Sequence, residues 1–496
     1  EYYVYFTKIE SEYNKKDYLA ILSPIDEIME PYANKIFKSF IITILILTIT
    51  IPLIWISTKI LVTPILELMK QNDKIIKRDF DNIKNINTSI KEFHDLSISL
   101  CHMSKSIKDY EEKQKELLEA FIKIIASAID AKSKYTGKHC ERVPILASLI
   151  TQKANESQEG IFKDFKLNEE EQEELSVAAW LHDCGKVTTP EFVVDKATKL
   201  ETIYNRIHEI RTRFEVIHRD MTIKMYENIL NGKDKEKEEE ILKKEHEKLY
   251  KEFEIVARAN VGSEFMDEEH IEQIHSIAKR TWTRHFDNSI GLAHEEENRV
   301  IKTTLPFEEK LLSDKKEHLI EREDDIDSLY KKYNFKLEVP KYQYNLGEIY
   351  NLTIKKGTLT NEERFKINEH MMMSIIMLEN LPFPDELKRV PEYAGGHHET
   401  LIGTGYPRKL TKYDMSIPAR IMTIADIFEA LTASDRPYKK AKRLSETIKI
   451  LSFMAKDKHI DEDIFKLFLT SGAYLEYAKK HLKEEQIDEV DISLYI

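Results

Sequence analysis

A chain of 496 residues is long enough for about three domains, and its 42% hydrophobic content excludes wholesale disorder, while 33% charged residues require some unusually ionic segment. The 75 Lys+Arg against 88 Asp+Glu leave a net charge of −13, so no global field draws in a nucleic-acid polymer, and an anionic ligand needs a local trap. Three cysteines, Cys101, Cys140 and Cys184, with no CxxC pair, exclude a disulfide scaffold and a thiolate zinc site, and fit a reducing compartment.

The first residue is Glu1 rather than Met, which reads as a processed or truncated chain. Residues 1–36, rich in Tyr and Ile, are expected to be the C-terminal remnant of an extracytoplasmic sensor region. From Ser39 to Thr58 no charge interrupts twenty residues, about the length that crosses a bilayer core, and a transmembrane helix is predicted over 37–61. Lys59, Lys70, Lys74, Lys77 and Arg78 follow the span against Lys35 and Lys38 before it, so the positive-inside bias puts the C-terminal side in the cytoplasm.

Residues 62–115 are expected to form a signalling linker. Leu61, Ile65, Leu68 and Ile75 stand at heptad positions, and a second run follows: Phe93, Leu96, Leu100, Met103, Ile107, Tyr110, Gln114, Leu117, Phe121, Ile124 and Ala128. Spacings of 3 and 4 alternate throughout, the seam of a dimeric coiled coil about 54 Å long. The two helices, Pro64 just after the membrane and Glu92 opening the second helix resemble a HAMP signalling module over about 59–112.

Farther on, residues 231–252 hold 15 charged residues of interleaved sign, the pattern of a solvated helix. Among 17 histidines, four groups draw attention. LHDCGK places His182 and Asp183 together, with Lys186 one helical turn on; adjacent helical residues point about 100° apart, so a shared ion would lie near the helix edge. His139 heads HCERV, His397 and His398 open HHETLIGTGYP, and Asp426 lies in ARIMTIADIFEALTASDRPYK. Imidazoles and carboxylates without thiolates suit Fe, Mn or Zn with open positions for substrate.

HDCGK, then HHETLIGTGYP, then ADIFEALTASDRPYKKA resemble the HD-GYP domain, the cyclic di-GMP phosphodiesterase branch of the HD metal-dependent phosphohydrolases, over about 120–215 and 350–480. The resemblance implies an all-α, HD-type helical metallophosphohydrolase domain at 116–496, on the cytoplasmic face of a bacterial inner membrane. It carries over His139, His182, Asp183, His397, His398 and Asp426 as metal ligands, with Lys186 beside the bridging water. Gly403, Gly405, Tyr406 and Pro407 form the signature loop, and Arg436 and Lys439 match positions that face substrate phosphates. Tyr406 either stacks a guanine or braces its loop. Tyr135 stands where the family carries a Glu for a third ion, so two divalent ions are expected, iron ahead of manganese and zinc.

The middle histidine has a decoy. Family members carry a Leu followed eleven residues later by the ligand; beyond Leu200 that position is Arg211, and beyond Leu359 it is His370. A guanidinium stays protonated and cannot ligate, and His208 falls three residues early, so His370 is expected to complete the set. Between Lys186 and His370 the chain carries an insertion at about 215–345, which could cap the site, serve a dimer contact or block catalysis.

Phosphodiesters are anionic and resist attack, and two ions about 3.5–4 Å apart supply both an activated hydroxide and positive charge on the non-bridging oxygens. Asp183, with two oxygens, suits a bridging and catalytic ligand, Lys186 can stabilise the developing charge, and Arg436 and Lys439 provide the anion trap. The expected activity is hydrolysis of cyclic di-GMP to pGpG and on to GMP. The alternatives are the same chemistry on another cyclic dinucleotide such as cyclic GMP-AMP, and a non-catalytic nucleotide receptor or scaffold.

Overall fold

The computed structural model describes residues 1–10, 16–132, 138–262, 265–323, 326–433 and 441–496. It divides into two compact units, Glu1–Leu118 and Glu119–Ile496. Among the described residues the fold is all-α apart from three two-stranded antiparallel hairpins.

The first unit opens with one of them. β1 (Tyr2–Ile9) pairs with β2 (Asp17–Pro24) in register from Tyr2 opposite Pro24 to Ile9 opposite Asp17. The helix α1 (Ile25–Ser57) starts well before the expected 37, continues through a π-helical turn at Thr58–Val62, and passes into α2 (Thr63–Ile76) with Pro64 in its first turn. None of α1 is buried. One helix in the described residues, within Ile25–Ile76, is long and apolar enough to cross a membrane, with a mean hydropathy of 2.5 over its most apolar window. A 42-residue helix, α3 (Lys91–Lys132), follows.

In the second unit, α4 (His139–Glu156), α5 (Glu169–Leu181), α14 (Val390–Gly395), α15 (Ile417–Thr432), α16 (Leu444–Lys456), α17 (Glu462–Thr470) and α18 (Ala473–His481) enclose one apolar core. It runs from Ile122, Ala126 and Ile129 of α3 to Tyr477 and Ala478. Local chemistry fixes where these helices begin. Asn168 and Glu171 form a capping box on α5, and Ser416 caps α15 with Pro418 in its first turn. Helix α5 ends at Leu181, so His182 and Asp183 stand at a break rather than within a helix, and a 3₁₀ turn, Cys184–Thr188, follows. The close approach of α13 (Asn361–Glu379) dictates that break: a Cβ on Gly185 would lie 1.9 Å from the His370 carbonyl oxygen.

The insertion has its own core. After the short α6 (Glu191–Val194), a second apolar cluster starts at Leu200, ahead of the expected 215, and takes in α7 (Ile207–Leu230), α8 (Lys235–Val261) and α9 (Glu268–Ile277). Leu200, Ile207 and Ile210 are buried in this second cluster, which is why the boundary moves. The charged run falls on α8, whose Asp234 cap accepts a hydrogen bond from the Lys237 amide. Two small hairpins, β3 (Thr281–Arg284) with β4 (Phe307–Lys310) and β5 (Leu319–Glu321) with β6 (Tyr342–Asn345), join α10 (His294–Arg299), α11 (Ile326–Tyr333) and α12 (Glu348–Leu352) to complete it.

Candidate metal centre

Five separate stretches deliver side chains to one place in the second unit. His139 opens α4, His182 and Asp183 follow the end of α5, His370 lies within α13, His397 and His398 follow α14, and Asp426 lies within α15. Asp183 is central and 2% exposed. Its Oδ2 lies 3.5 Å from His139 Nε2 and 3.3 Å from His182 Nε2, while Oδ1 lies 3.3 Å from His370 Nε2 and 3.9 Å from His397 Nε2. Asp426 Oδ1 faces His139 Nε2 at 3.2 Å and His182 Nε2 at 3.7 Å. Two groups compact enough to share an ion result, His139 with His182 and Asp183, and His370 with His397 and His398.

The residues fit metal ions. His182, His370 and His397 each direct Nδ1 to the backbone carbonyl three residues earlier, those of Ala179, Ile367 and Ala394. Their Nε2 atoms, together with Asp183 Oδ1, are buried and have no hydrogen-bond partner. A buried polar atom without a partner is costly, and four of them converging is what a cation would relieve.

The electrostatics agree. Burial works against charge on Asp183, yet the Lys186 ammonium and the His182 imidazole hold its carboxyl well below the ordinary carboxylate range. Burial likewise opposes ionisation of Asp426, and the facing His139 and His182 imidazoles hold it low. Burial and the neighbouring His182 push His397 down to about 4, and burial with His397 and His370 pushes His398 well below its ordinary value. These two imidazoles are therefore neutral donors facing ionised carboxylates, the states that metal binding requires. At the other group the carboxylates overcome burial and raise His139 well above its ordinary value and His182 to about 9, so those two release a proton when an ion binds.

Lys186 Nζ hydrogen-bonds Asp183 Oδ2 at the edge of the cluster. In the signature loop Gly405 has no room for a side chain, since a Cβ would lie 2.5 Å from Glu399 Cα. Tyr406 stacks on the His398 ring with centroids 4.9 Å apart and planes 15° apart, so one face of the phenol braces a ligand candidate. Pro407 is buried and its carbonyl accepts from the Lys336 amide at 2.7 Å. Gly403 has a φ of +74°, as the turn before Gly405 demands. Arg436, Lys439 and Tyr135 lie outside the described residues. His208 lies in the insertion, exposed and paired with Arg211 through Nδ1.

Two carboxylates escaped the sequence reading. Glu399, 1% exposed, accepts from the Arg408 and Leu410 amides at 2.7 and 2.9 Å and so folds the signature loop. Glu429 receives His139 Nδ1. Its spacing of three from Asp426 puts both on one face of α15, the signal that could have found it.

A family model described as an HD domain matches residues 136–301, and another with the same description matches 306–464. His139, His182 and Asp183 fall in the first match and His370, His397, His398 and Asp426 in the second, so the two matches meet at one centre. The fold is thus an all-α HD fold interrupted by the insertion. The chain is similar to a 3'3'-cGAMP-specific phosphodiesterase of Vibrio cholerae, at 31% identity over 29% of this chain and 35% of that protein. Another Vibrio cholerae 3'3'-cGAMP-specific phosphodiesterase is 39% identical over 22% of this chain and 23% of its own length. A cyclic di-GMP phosphodiesterase of Pseudomonas aeruginosa is 33% identical over 24% and 28%. The chain spans about a third or less of these relatives' length. Together the matches support an HD-type phosphohydrolase.

Proposed function

We propose that this chain is a membrane-anchored, dimeric signalling phosphodiesterase of the HD-GYP type, hydrolysing cyclic di-GMP to pGpG and on to GMP. The observation that carries this is Asp183, one carboxylate oxygen directed at each of two histidine groups whose inner nitrogens are buried and unpartnered. His139, His182 and Asp426 would hold one divalent ion, His370, His397 and His398 the other, and Asp183 would join them. Such a pair supplies a nucleophile from water at neutral pH and neutralises charge on the phosphoryl oxygens. Iron is the favoured metal, ahead of manganese and zinc.

The chain's own groups divide the remaining work. Lys186, at the edge beside Asp183, offers positive charge to an arriving phosphate and to the charge that develops on it. Tyr406 keeps the His398 ring from turning. Arg436 and Lys439 are proposed to grip the phosphate that lies away from the metals. The apolar span within Ile25–Ile76 supports the membrane anchor. Leu96, Met103, Tyr110, Leu117 and Ile124, seven residues apart and exposed in the single chain, support a second copy along α3.

Relatives named for 3'3'-cGAMP favour a second reading, the same centre acting on a cyclic GMP-AMP dinucleotide. Both are tested by incubating the anaerobically purified full chain in detergent, loaded with Fe or Mn, with each dinucleotide in parallel and separating the products. Cyclic di-GMP should be consumed first, with pGpG appearing. Asp183→Ala, with a helical circular dichroism spectrum, should abolish turnover. Retained turnover in that variant, within about tenfold of wild type, contradicts two-metal chemistry. Two bound ions with neither dinucleotide consumed would favour a receptor instead.

A further inference from the structure

Three of the four candidate histidine ligands with a hydrogen-bonded Nδ1 are oriented alike, and the fourth is not. His182, His370 and His397 each follow a full helical turn, and the carbonyl three residues back receives Nδ1–H and turns Nε2 inward. His139 is the first residue of α4, with Lys138 as its N-cap at a φ of +72°, so α4 itself has no turn before it, unlike the helices that precede the other three. Its Nδ1 meets the carboxylate of Glu429 instead, delivered by α15 from 290 residues away.

Glu429 is built for the role. It is 1% exposed, and its second oxygen receives Arg142 Nε at 2.5 Å, so both carboxylate oxygens are engaged. Arg142 lies three residues after His139 on α4, so the carboxylate locks α15 to the start of that helix at two points. With Nδ1 fixed, His139 Nε2 faces Asp183 and Asp426. A charged acceptor also makes the imidazole a stronger donor than a backbone carbonyl does, and such outer partners govern ligand orientation and metal affinity.

We infer that Glu429 is the positioning residue of the ion subsite formed by His139, His182 and Asp183, and that the subsite formed by His370, His397 and His398 does not depend on it. The inference rests on the metal-centre reading given above and assigns to one ion a dependence that the other lacks.

The test uses the full chain in detergent, reconstituted with Mn(II) and followed by elemental analysis, metal titration and electron paramagnetic resonance. Wild type should hold two ions with an exchange-coupled spectrum. Glu429→Ala should keep one, giving an uncoupled six-line spectrum, and the ion at the other subsite reports that the fold survives. In Glu429→Gln the amide oxygen can still receive Nδ1–H without the charge; it should restore the second ion at about 10–100-fold weaker affinity. Glu429→Ala with two ions at wild-type affinity overturns the assignment. Loss of both ions in Glu429→Ala and Glu429→Gln alike also overturns it, since the dependence would not be confined to one subsite. Fewer than two ions in wild type would instead reject the two-ion centre itself.

Discussion

Asp183 and His370 meet across the 3₁₀ turn only because Gly185 lets α13 come within contact of it. His370 stands in the centre, whereas His208 lies on the exposed face of α7 with Arg211 as its partner. His370→Ala is therefore expected to lose one ion and all turnover, and His208→Ala to keep both. Metal content and product analysis on the two variants decide the matter; an essential His208 with a dispensable His370 would assign the ligands wrongly. Most candidate ligands were legible in the sequence because metal ligands come in short, chemically unmistakable groups such as HD and HH. Glu399 and Glu429 were not, because a single Glu beside a motif has the composition of any helix surface, and only burial distinguishes it.

At the scale of elements, α3 shows what periodicity can and cannot convey. The alternating 3 and 4 spacing was readable, and the helix is continuous from Lys91 to Lys132. Spacing does not reveal that Ile122, Ala126 and Ile129, just beside the seam, enter the core of the second unit while Phe121 and Ile124 remain exposed. Gln114, the one polar residue of the seam, donates to the Tyr110 hydroxyl at 2.7 Å, and a single polar seam residue sets register at a cost in stability. Gln114→Leu should lock one output state, read as activity that no longer varies in membrane-embedded protein. A response equal to wild type would remove Gln114 from the relay. The three hairpins went unread because each is only two strands deep and no longer than eight residues, too little alternation to separate from a loop. The one at β5 and β6 carries a pH dependence. Burial, with Arg206 and Lys315 nearby, pushes His318 down to about 4, and its Nδ1 receives the Lys315 amide, so the folded state requires neutral imidazole. The unfolded chain binds that proton near pH 6.5, so stability should fall as pH drops from 6.5 towards 4, by up to about 3 kcal/mol. His318→Gln should flatten that part of the melting-temperature profile relative to wild type; parallel profiles would refute the cause.

Across the second unit, two large apolar cores and a small third cluster share one chain, and the question is how the inserted core bears on the centre. The helices around the first core, together with α13, carry all the candidate ligands, while the second encloses residues from Leu200 to Leu352 and contributes none of them. At the insertion's base Lys196 pairs with Glu363, the N3 member of the α13 capping box, at 2.7 Å, while Lys199 ties the two ends of the insertion together by donating to the Leu352 and Ile354 carbonyls at 2.9 and 2.7 Å. A further arm reaches the signature loop. Tyr333 and Phe335 pack on Met372 and Ile375 of α13, the Lys336 amide donates to the Pro407 carbonyl, and Arg408 lies over Phe335 while donating to the Tyr333 carbonyl at 3.0 Å. Through Pro407 the arm steadies the loop whose Tyr406 braces His398, so the insertion can set the loop's position without supplying a ligand. Phe335→Ala removes the arm's ring at a local cost of about 3–5 kcal/mol. It should lower kcat/KM by about tenfold, since the loop is no longer held, while metal content stays at the wild-type value because no candidate ligand lies on the arm itself. The check is kinetics and elemental analysis on the same preparation. Unchanged kcat/KM would make the arm a packing feature only, and loss of metal would mean that it supports the ligand helix α13 rather than the loop.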